Sequence, residues 1–168
     1  CKATVVSPYY LHNDGAPQMN NVLPISMMLS GLTEENVYTL VDRGIQADFS
    51  SPVGSGYLVL TPDNLRNVRA RQYEAGFLRY TSNNNIVTKF SRIPFITEKN
   101  DILFYFIGSK TVPMLGRNQF LPGAVADHLT SAGGMLTDSY QMSILRWLEA
   151  GATASYGAVV EPCNMVTK

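Results

Sequence analysis

Four residues near the end of the chain carry the side chains best suited to chemistry. Asp127 and His128 end one apolar run, and Glu161 and Cys163 follow another. In an open α/β sheet, reactive groups collect where strands end and loops begin. These residue types are the parts of a cysteine hydrolase site, with Cys163 as nucleophile, His128 as base, and Asp127 or Glu161 as the orienting carboxylate, and equally they can serve packing alone. Because adjacent residues on a strand point to opposite faces, a triad of Asp127 and His128 with Ser131 is not expected.

Each of these side chains also has another interpretation. His128 can be a hydrogen-bonded histidine at a strand end, or a metal ligand together with Asp127 and Glu161. Cys163 can be a buried thiol, or it can form a disulfide with Cys1. That disulfide would close nearly the whole chain and stabilise it by about 4–5 kcal/mol. It would also indicate an oxidising compartment and remove the nucleophile.

The loop after the first of these strands contains groups that could bind a ligand. Thr130 and Ser131 follow the strand directly, and Gly133 and Gly134 come next. A glycine pair permits a positive φ or a close approach of the backbone. The pair therefore either cradles a ligand or lets the chain turn into the next helix.

The strands that would position these groups are short and mostly apolar. The run 101–109 is the strongest, and its unbroken apolar character is typical of a central strand covered on both faces. Residues 86–90 are expected to form an edge or hairpin strand. The remaining strands are expected at residues 57–60, 121–128 and 154–160.

Helices are expected between these strands. One begins after Thr33, an N-cap residue, and stops at Gly44. Another is capped by Ser139 or Asp138 and ends at Gly151. Strand, helix and strand alternate, which predicts the α/β class with a mostly parallel sheet flanked by helices.

A third helix is expected after the strand at 57–60, and it is rich in arginine. Arg66, Arg69, Arg71 and Arg79 lie among few acidic residues. Such a run is a patch for anions or an acidic partner, or it is a solvated helix face. We expect the solvated face.

Composition limits the kinds of function. The chain has 168 residues and a net charge of zero, from 13 basic and 13 acidic side chains. Nucleic-acid binding is not expected, because it normally needs a basic surplus. No apolar run approaches the roughly 20 residues that span a bilayer, so we expect no transmembrane segment. No cofactor motif is present. We expect a single domain or the C-terminal segment of a larger precursor, with residues 1–31 as an irregular lead-in.

Several short runs carry a resemblance to a known family. They are Ser7-Pro8-Tyr9-Tyr10, Ser26-Met27-Met28-Leu29, Val41-Asp42-Arg43-Gly44, the run 121–131, Trp147–Thr153 and Glu161-Pro162-Cys163. Together they resemble an uncharacterised, exported bacterial family found with exosortase-type sorting systems. The resemblance implies export, and it implies that Cys1 lies inside a longer precursor, which argues against lipid modification of Cys1. It implies no particular activity.

The chain also resembles the caspase–gingipain–legumain cysteine peptidases, which place a catalytic His after one parallel strand and a catalytic Cys after its neighbour. In one alignment the strand ending at Gly108-Ser109 corresponds to the strand before that His. Ser109 then replaces the His, and the Cys position falls near Thr130-Ser131. This alignment implies a caspase–gingipain-like fold, here complete or a partial domain, without the peptidase dyad.

In a second alignment, Asp127-His128 resembles the legumain-like Asp-His-Gly, and residues 160–164 resemble its Glu-Ala-Cys. The chain departs from that pattern at two positions. Leu129 replaces the Gly, and Pro162 removes a backbone N–H beside the nucleophile. Loss of one oxyanion-hole donor can lower the rate by about 10²–10³.

Two functions of different classes follow, and the sequence leaves open whether the protein is an enzyme. The first is an exported, non-peptidase relative of the caspase–gingipain-like fold that acts as a binding or assembly module. Its low charged content of 15% fits a chain that buries surface against copies of itself or a protein partner. The second is the cysteine hydrolase. A metal site of carboxylates and His128 is a weaker third alternative.

Overall fold

The computed structural model describes residues 28–70, 73–74, 87–136 and 139–159. In chain order, its helices and strands are α1 (Glu34–Ala47), β1 (Ser55–Leu60), β2 (Val87–Arg92), β3 (Ile102–Ile107), β4 (Phe120–His128) and α2 (Leu145–Ala150). Short 3-10 turns occupy Asn64–Asn67 and Leu115–Arg117. Of the expected irregular lead-in at 1–31, only residues 28–31 are described, and they form neither helix nor strand.

The four strands form one parallel sheet in the order β2-β1-β3-β4. This confirms the α/β class and the mostly parallel sheet with helices. β3 lies inside the sheet, as its apolar run predicted. β2 is an edge strand, but it pairs with β1 in parallel, so the hairpin alternative was wrong. From β1 the chain continues to β2 on one side of β1. It then crosses to β3 on the other side, so the direction of the connections reverses between β1 and β3.

Helix α1 begins where the sequence predicted and continues further. Thr33 is the N-cap, and its side chain and that of Asn36 form a reciprocal capping box. The predicted stop at Gly44 was wrong. Among the described glycines, only Gly123 and Gly151 have positive φ, so Gly44 keeps helical geometry. The helix ends at Ala47, and the Asp48 N–H donates back to the Gly44 carbonyl at 3.1 Å.

Helix α2 is shorter than expected. It begins at Leu145 without a side-chain cap. Ser139 is not its cap, because the Ser139 hydroxyl accepts a hydrogen bond from the Gln141 N–H at 3.0 Å in the preceding loop. Asp138 lies outside the described residues. Gly151 ends the helix as predicted, in the left-handed conformation with φ 118°.

The predicted last strand does not form over residues 154–159. This segment makes one isolated bridge to β4, between Ala154 and Val125. Beyond the bridge, the Ala158 carbonyl accepts a hydrogen bond from the Gly134 N–H at 2.8 Å. The segment therefore turns its backbone toward the glycine turn instead of continuing along β4.

Alternation along the strands separates two buried faces of the sheet. Tyr105 and Trp147 are fully buried on one face, with ring centroids 5.0 Å apart in an edge contact. On the opposite face, Phe106 stacks on Tyr73 with centroids 4.6 Å apart. The two residues that end β4 fall one on each face.

Replacement of Thr33 by Ala should lower the free energy of unfolding by about 1 kcal/mol, because it removes the N-cap acceptor from α1. Thr39→Ala in the same helix is the matched control. Its hydroxyl only bonds back to the Glu35 carbonyl at 2.9 Å, so that change should be neutral or slightly stabilising. Urea denaturation of both variants checks this, and equal losses would contradict it.

Candidate functional site

The end of β4 presents its two polar residues to opposite sides of the sheet. β4 pairs with β3, so that Asp127 lies beside Phe106 and His128 beside Ile107. Paired residues of parallel strands share a face, and successive residues alternate between faces. Asp127 therefore faces Arg69, and His128 faces Trp147. The expectation that these two cannot belong to one triad agrees with this geometry.

His128 joins three parts of the structure through both of its ring nitrogens. Its Nδ1 accepts a hydrogen bond from the Trp147 indole N–H at 2.9 Å. An indole nitrogen is only a donor, so Nδ1 carries no proton. Nε2 then carries the proton and donates to the Met142 carbonyl at 2.9 Å. The imidazole is a neutral link from β4 to α2 and to the loop before α2.

The surroundings of His128 keep it neutral. Burial lowers the pKa of His128 from 6.5 to about 4, the Met142 carbonyl opposes this, and the charges of Arg69 and Arg66 add to the lowering. With both nitrogens bonded, the imidazole cannot take a proton from a thiol unless it first releases Trp147. The geometry is that of the hydrogen-bonded histidine. Its catalytic role stays a prediction, because Cys163 and Glu161 lie outside the described residues.

On the other face, Asp127 forms a buried ion pair. Its Oδ2 lies 2.6 Å from a terminal nitrogen of Arg69, and the two side chains are only 6% and 7% exposed. The guanidinium also lies 5.4 Å from the ring centroid of Tyr73 and 6.0 Å from that of Tyr156. Burial raises the pKa of both phenols, so they line the ion pair as neutral rings.

The expected solvated arginine face was wrong for the two arginines that are described. Arg69 is buried against Asp127, since a carboxylate at this depth needs a paired cation. Arg66 is partly buried, and it donates to the Leu129 carbonyl at 2.9 Å. Arg71 and Arg79 lie outside the described residues.

The crevice at the carboxyl ends of β1 and β3 is filled by the protein itself. Open α/β sheets commonly bind ligands here, where the connections reverse. Here the Asn67 side chain forms two hydrogen bonds with the Thr61 backbone. It accepts from the Thr61 N–H at 3.1 Å and donates to the Thr61 carbonyl at 2.8 Å. Any side chain at Gly108 would collide with the Arg66 carbonyl. The remaining cavity has about 20 Å³, which is room for about one water molecule.

Four loop residues were predicted to bind a ligand. In the structure, they mainly form hydrogen bonds and contacts with other parts of the chain. The Thr130 hydroxyl donates to the Gln141 side-chain oxygen. The Gly133 carbonyl accepts from the Ile144 N–H at 2.9 Å. Beside Gly134, the backbone of the segment after α2 occupies the space that a side chain would need. Ser131 is half-buried. In this arrangement the glycine pair serves a turn that packs closely on the rest of the chain.

Other predicted site features have less support or lie outside the described residues. Because Asp127 and His128 face opposite sides, they cannot hold one metal ion together in this arrangement. Over the described ranges, no three His, Cys, Asp or Glu residues cluster as metal ligands would. Cys1, Cys163 and Glu161 are not described, so the disulfide stays a prediction.

A different part of the surface is open and apolar. A groove of about 750 Å³ lies between α1 and the chain that follows α2. Such a volume is within the roughly 300–1,000 Å³ of typical ligand pockets. Its walls include apolar side chains from both sides, namely Leu29, Val41, Ile45, Ile144, Leu148 and Tyr156.

Beside the groove, α1 exposes a row of large apolar side chains. Tyr38, Val41 and Ile45 follow the i, i+3, i+7 spacing of one helix face, and the exposed Phe49 lies in the turn just after the helix. We call these four residues the α1 apolar surface. Phe49 is fully exposed, at 101% relative accessibility, and its φ is +54°. A bulky residue in this conformation is strained by about 1–3 kcal/mol, and such strain often marks functional positions.

The partners that fix the end of β4 were not predicted from the sequence. The hydrogen bond from the Trp147 indole N–H to His128 was not predicted. A buried Trp needs an acceptor and a buried Asp needs a cation, so the residue types alone contained that signal. The pairing itself depends on how the layers pack.

Fold and geometry define an α/β protein with a closed crevice at its strand ends and an open apolar groove beside α1. No family model, curated protein or solved structure matches the chain. Among the described residues, no helix is both long and apolar enough to cross a membrane.

The pKa of His128 leads to a prediction for NMR. Its ring should stay neutral, with the proton on Nε2, from pH 7 down to about 4. The unfolded chain binds the proton near 6.5, so the free energy of unfolding should fall by about 3 kcal/mol as the pH drops from 6.5 to 4. Ring ¹⁵N shifts report both the tautomer and the titration.

The chain has only one other histidine, His12, so a His12→Gln variant assigns the signals. A His128 ring that titrates near 6.5, or that carries its proton on Nδ1, would contradict the hydrogen-bonded link.

Asp127→Asn should lower the free energy of unfolding by about 3–5 kcal/mol, because it leaves the charge of Arg69 buried without a partner. Asp63→Asn is the matched control. It breaks the partly exposed 3.0 Å pair with Arg66, so it should cost no more than about 1 kcal/mol. Chemical denaturation at pH 7 measures both. Similar losses in the two variants would show that the Asp127 pair is not buried.

Proposed function

We propose that the protein is an exported, non-peptidase relative of the caspase–gingipain-like fold that acts as a protein-binding or assembly module. The observation that carries this proposal is the apolar groove together with the α1 apolar surface. Exposed, contiguous apolar surface of this kind commonly marks a protein interaction site. Export is part of the proposal through the resemblance to the exported bacterial family.

The topology supports the fold assignment. Caspase–gingipain-like peptidases carry their catalytic His and Cys after neighbouring parallel strands. Here β3 and β4 are such neighbours. Ser109 follows β3, and Thr130 and Ser131 follow β4, as the first of the two alignments requires. This order leaves neither a His nor a Cys at those two positions.

The chemistry at the strand ends supports a role other than peptidase. A substrate would need an open crevice and a base with an unshared electron pair. His128 does not offer such a pair, because its Nδ1 accepts the Trp147 N–H. The hydrolase alternative therefore requires Trp147 to move away before Cys163 could be activated.

The burial of the α1 apolar surface by a partner would contribute favourable free energy to binding. Ile45 is 67% exposed, and burial of apolar area contributes about 25 cal/mol per Å². Aromatic side chains such as Tyr38 and Phe49 are enriched at interfaces and often dominate their binding energy. A partner that covers these side chains would gain from both effects, whereas in the free protein they contact water.

The test is selection of displayed random peptides on the wild-type protein, followed by affinity measurements on an Ile45→Lys variant. We expect to select peptides that bind the wild-type protein. Their affinity for Ile45→Lys should be at least about tenfold lower, because the substitution puts a lysine charge in the apolar wall of the groove. Leu65→Lys is the matched control, since Leu65 is also exposed but lies on the 3-10 turn after β1. It should leave binding unchanged.

The same peptides, presented as substrates, separate the two functions. The binding module should release them intact. Cleavage that disappears in Cys163→Ala would overturn the proposal in favour of the hydrolase. Selected peptides that bind Ile45→Lys as well as wild type would place the binding site elsewhere and would also contradict the proposal.

A further inference from the structure

The groove beside α1 has a charge as well as an apolar lining. Asp48 is the only charged residue among those that line it in the described part of the chain. Glu34, Glu35 and Asp42 are also exposed on α1. Helix α1 therefore carries exposed carboxylates as well as exposed apolar side chains, and one carboxylate lines the groove itself.

The one basic residue of α1 does not offset these carboxylates at the surface. Arg43 donates to the Leu148 carbonyl at 2.8 Å and to the Ala152 carbonyl at 3.4 Å, at the end of α2. Its guanidinium is thus turned toward α2. The last turn of α1 has no basic residue, so the partial negative charge of the helix C-terminus adds to that of Asp48.

This charge pattern argues against a second copy of the chain as the occupant. A two-fold contact buries the same patch of both subunits. Two α1 helices packed in this way would bring Glu34, Glu35, Asp42 and Asp48 of both copies to a common interface. Like charges across an interface disfavour association.

The shape of the surface points to a helix. Tyr38, Val41 and Ile45 follow one another at helical spacing. Val41 and Ile45 line the groove on the α1 side, and the segment after α2 lines it on the other side. A partner helix places its own apolar ridge in such a groove, with side chains at i, i+3, i+4 and i+7 as anchors.

We propose that the groove binds an amphipathic helix of a partner protein, with apolar side chains in the groove and Lys or Arg side chains against Asp42, Asp48 and the C-terminus of α1. This inference rests on the proposed binding function and specifies its partner by chemistry. Because the rim carboxylates are exposed, they mainly select the partner and speed its association, while the apolar contacts hold it.

The probe is a synthetic, fluorescently labelled helical peptide of about five turns, with Leu at the anchor positions and Lys on both flanks. A second peptide with Glu in place of every Lys is its control. Fluorescence anisotropy measures their affinities for the wild-type protein at low and high salt. We expect the Lys peptide to bind at least about tenfold more tightly than the Glu peptide, and the difference to shrink as salt screens the exposed charges.

Variants locate the interaction. Ile45→Lys should weaken binding of the Lys peptide by at least about tenfold, and the double variant Asp42→Asn, Asp48→Asn by about threefold or more. Leu65→Lys should bind like wild type. Circular dichroism of each variant checks that the fold is retained, and the Asn variants keep side-chain size, so they remain informative if Ile45→Lys unfolds.

Three results would overturn the inference. Equal affinity for the Lys and Glu peptides would remove the charge argument. Self-association in sedimentation velocity that Ile45→Lys abolishes would make a second copy the occupant, and the proposed assembly function would survive. Absence of both peptide binding and self-association would contradict the inference and the proposed function together.

Discussion

The structure depends on the alternation of side chains at the end of β4. Two consecutive residues there are buried on opposite faces of the sheet, and each has a specific polar partner. Asp127 pairs with Arg69 at 2.6 Å, and His128 accepts the Trp147 N–H at 2.9 Å. Burying a polar group without such a partner costs free energy. The layer on each face of the sheet must therefore pack so that it supplies the partner of Asp127 or of His128. The same strand end thereby positions α2 on one side and the arginine-bearing segment on the other.

This arrangement has a consequence for function. The place where open parallel sheets usually bind their ligands is closed, because Arg66 and Asn67 pack onto the strand ends. At the end of β4, the histidine is held by two hydrogen bonds. A strand end fixed in this way is suited to a rigid scaffold. The open surface lies instead beside α1, where Phe49 is held in a strained conformation that exposes its whole ring. The buried polar pairs and the open apolar surface thus lie in different parts of the molecule.

Sequence reasoning predicted the parts that depend on local pattern. The apolar run of β3, the Thr33 cap and the Gly151 stop are each determined within a few residues of chain. The predictions from the sequence were wrong where contacts between residues far apart in the chain determine the structure. Residues 154–159 have the composition of a strand, but their backbone bonds to the glycine turn as well as to β4. Arg69 belongs to a basic run typical of a solvated face, but it is buried because it forms an ion pair with the carboxylate of Asp127. The exposed apolar side chains of α1 could not be predicted from spacing alone, because an apolar residue such as Ile45 indicates a core until the fold shows it exposed.

The most direct test of this account is hydrogen–deuterium exchange of the full chain with and without the Lys-flanked helical peptide. The account predicts slower exchange on binding in residues 34–48 and 153–157, which border the groove. It predicts no change in residues 107–111 and 128–132 at the ends of β3 and β4. Protection confined to those strand ends would contradict the account, because it would show that the crevice opens to a ligand and that the function lies there.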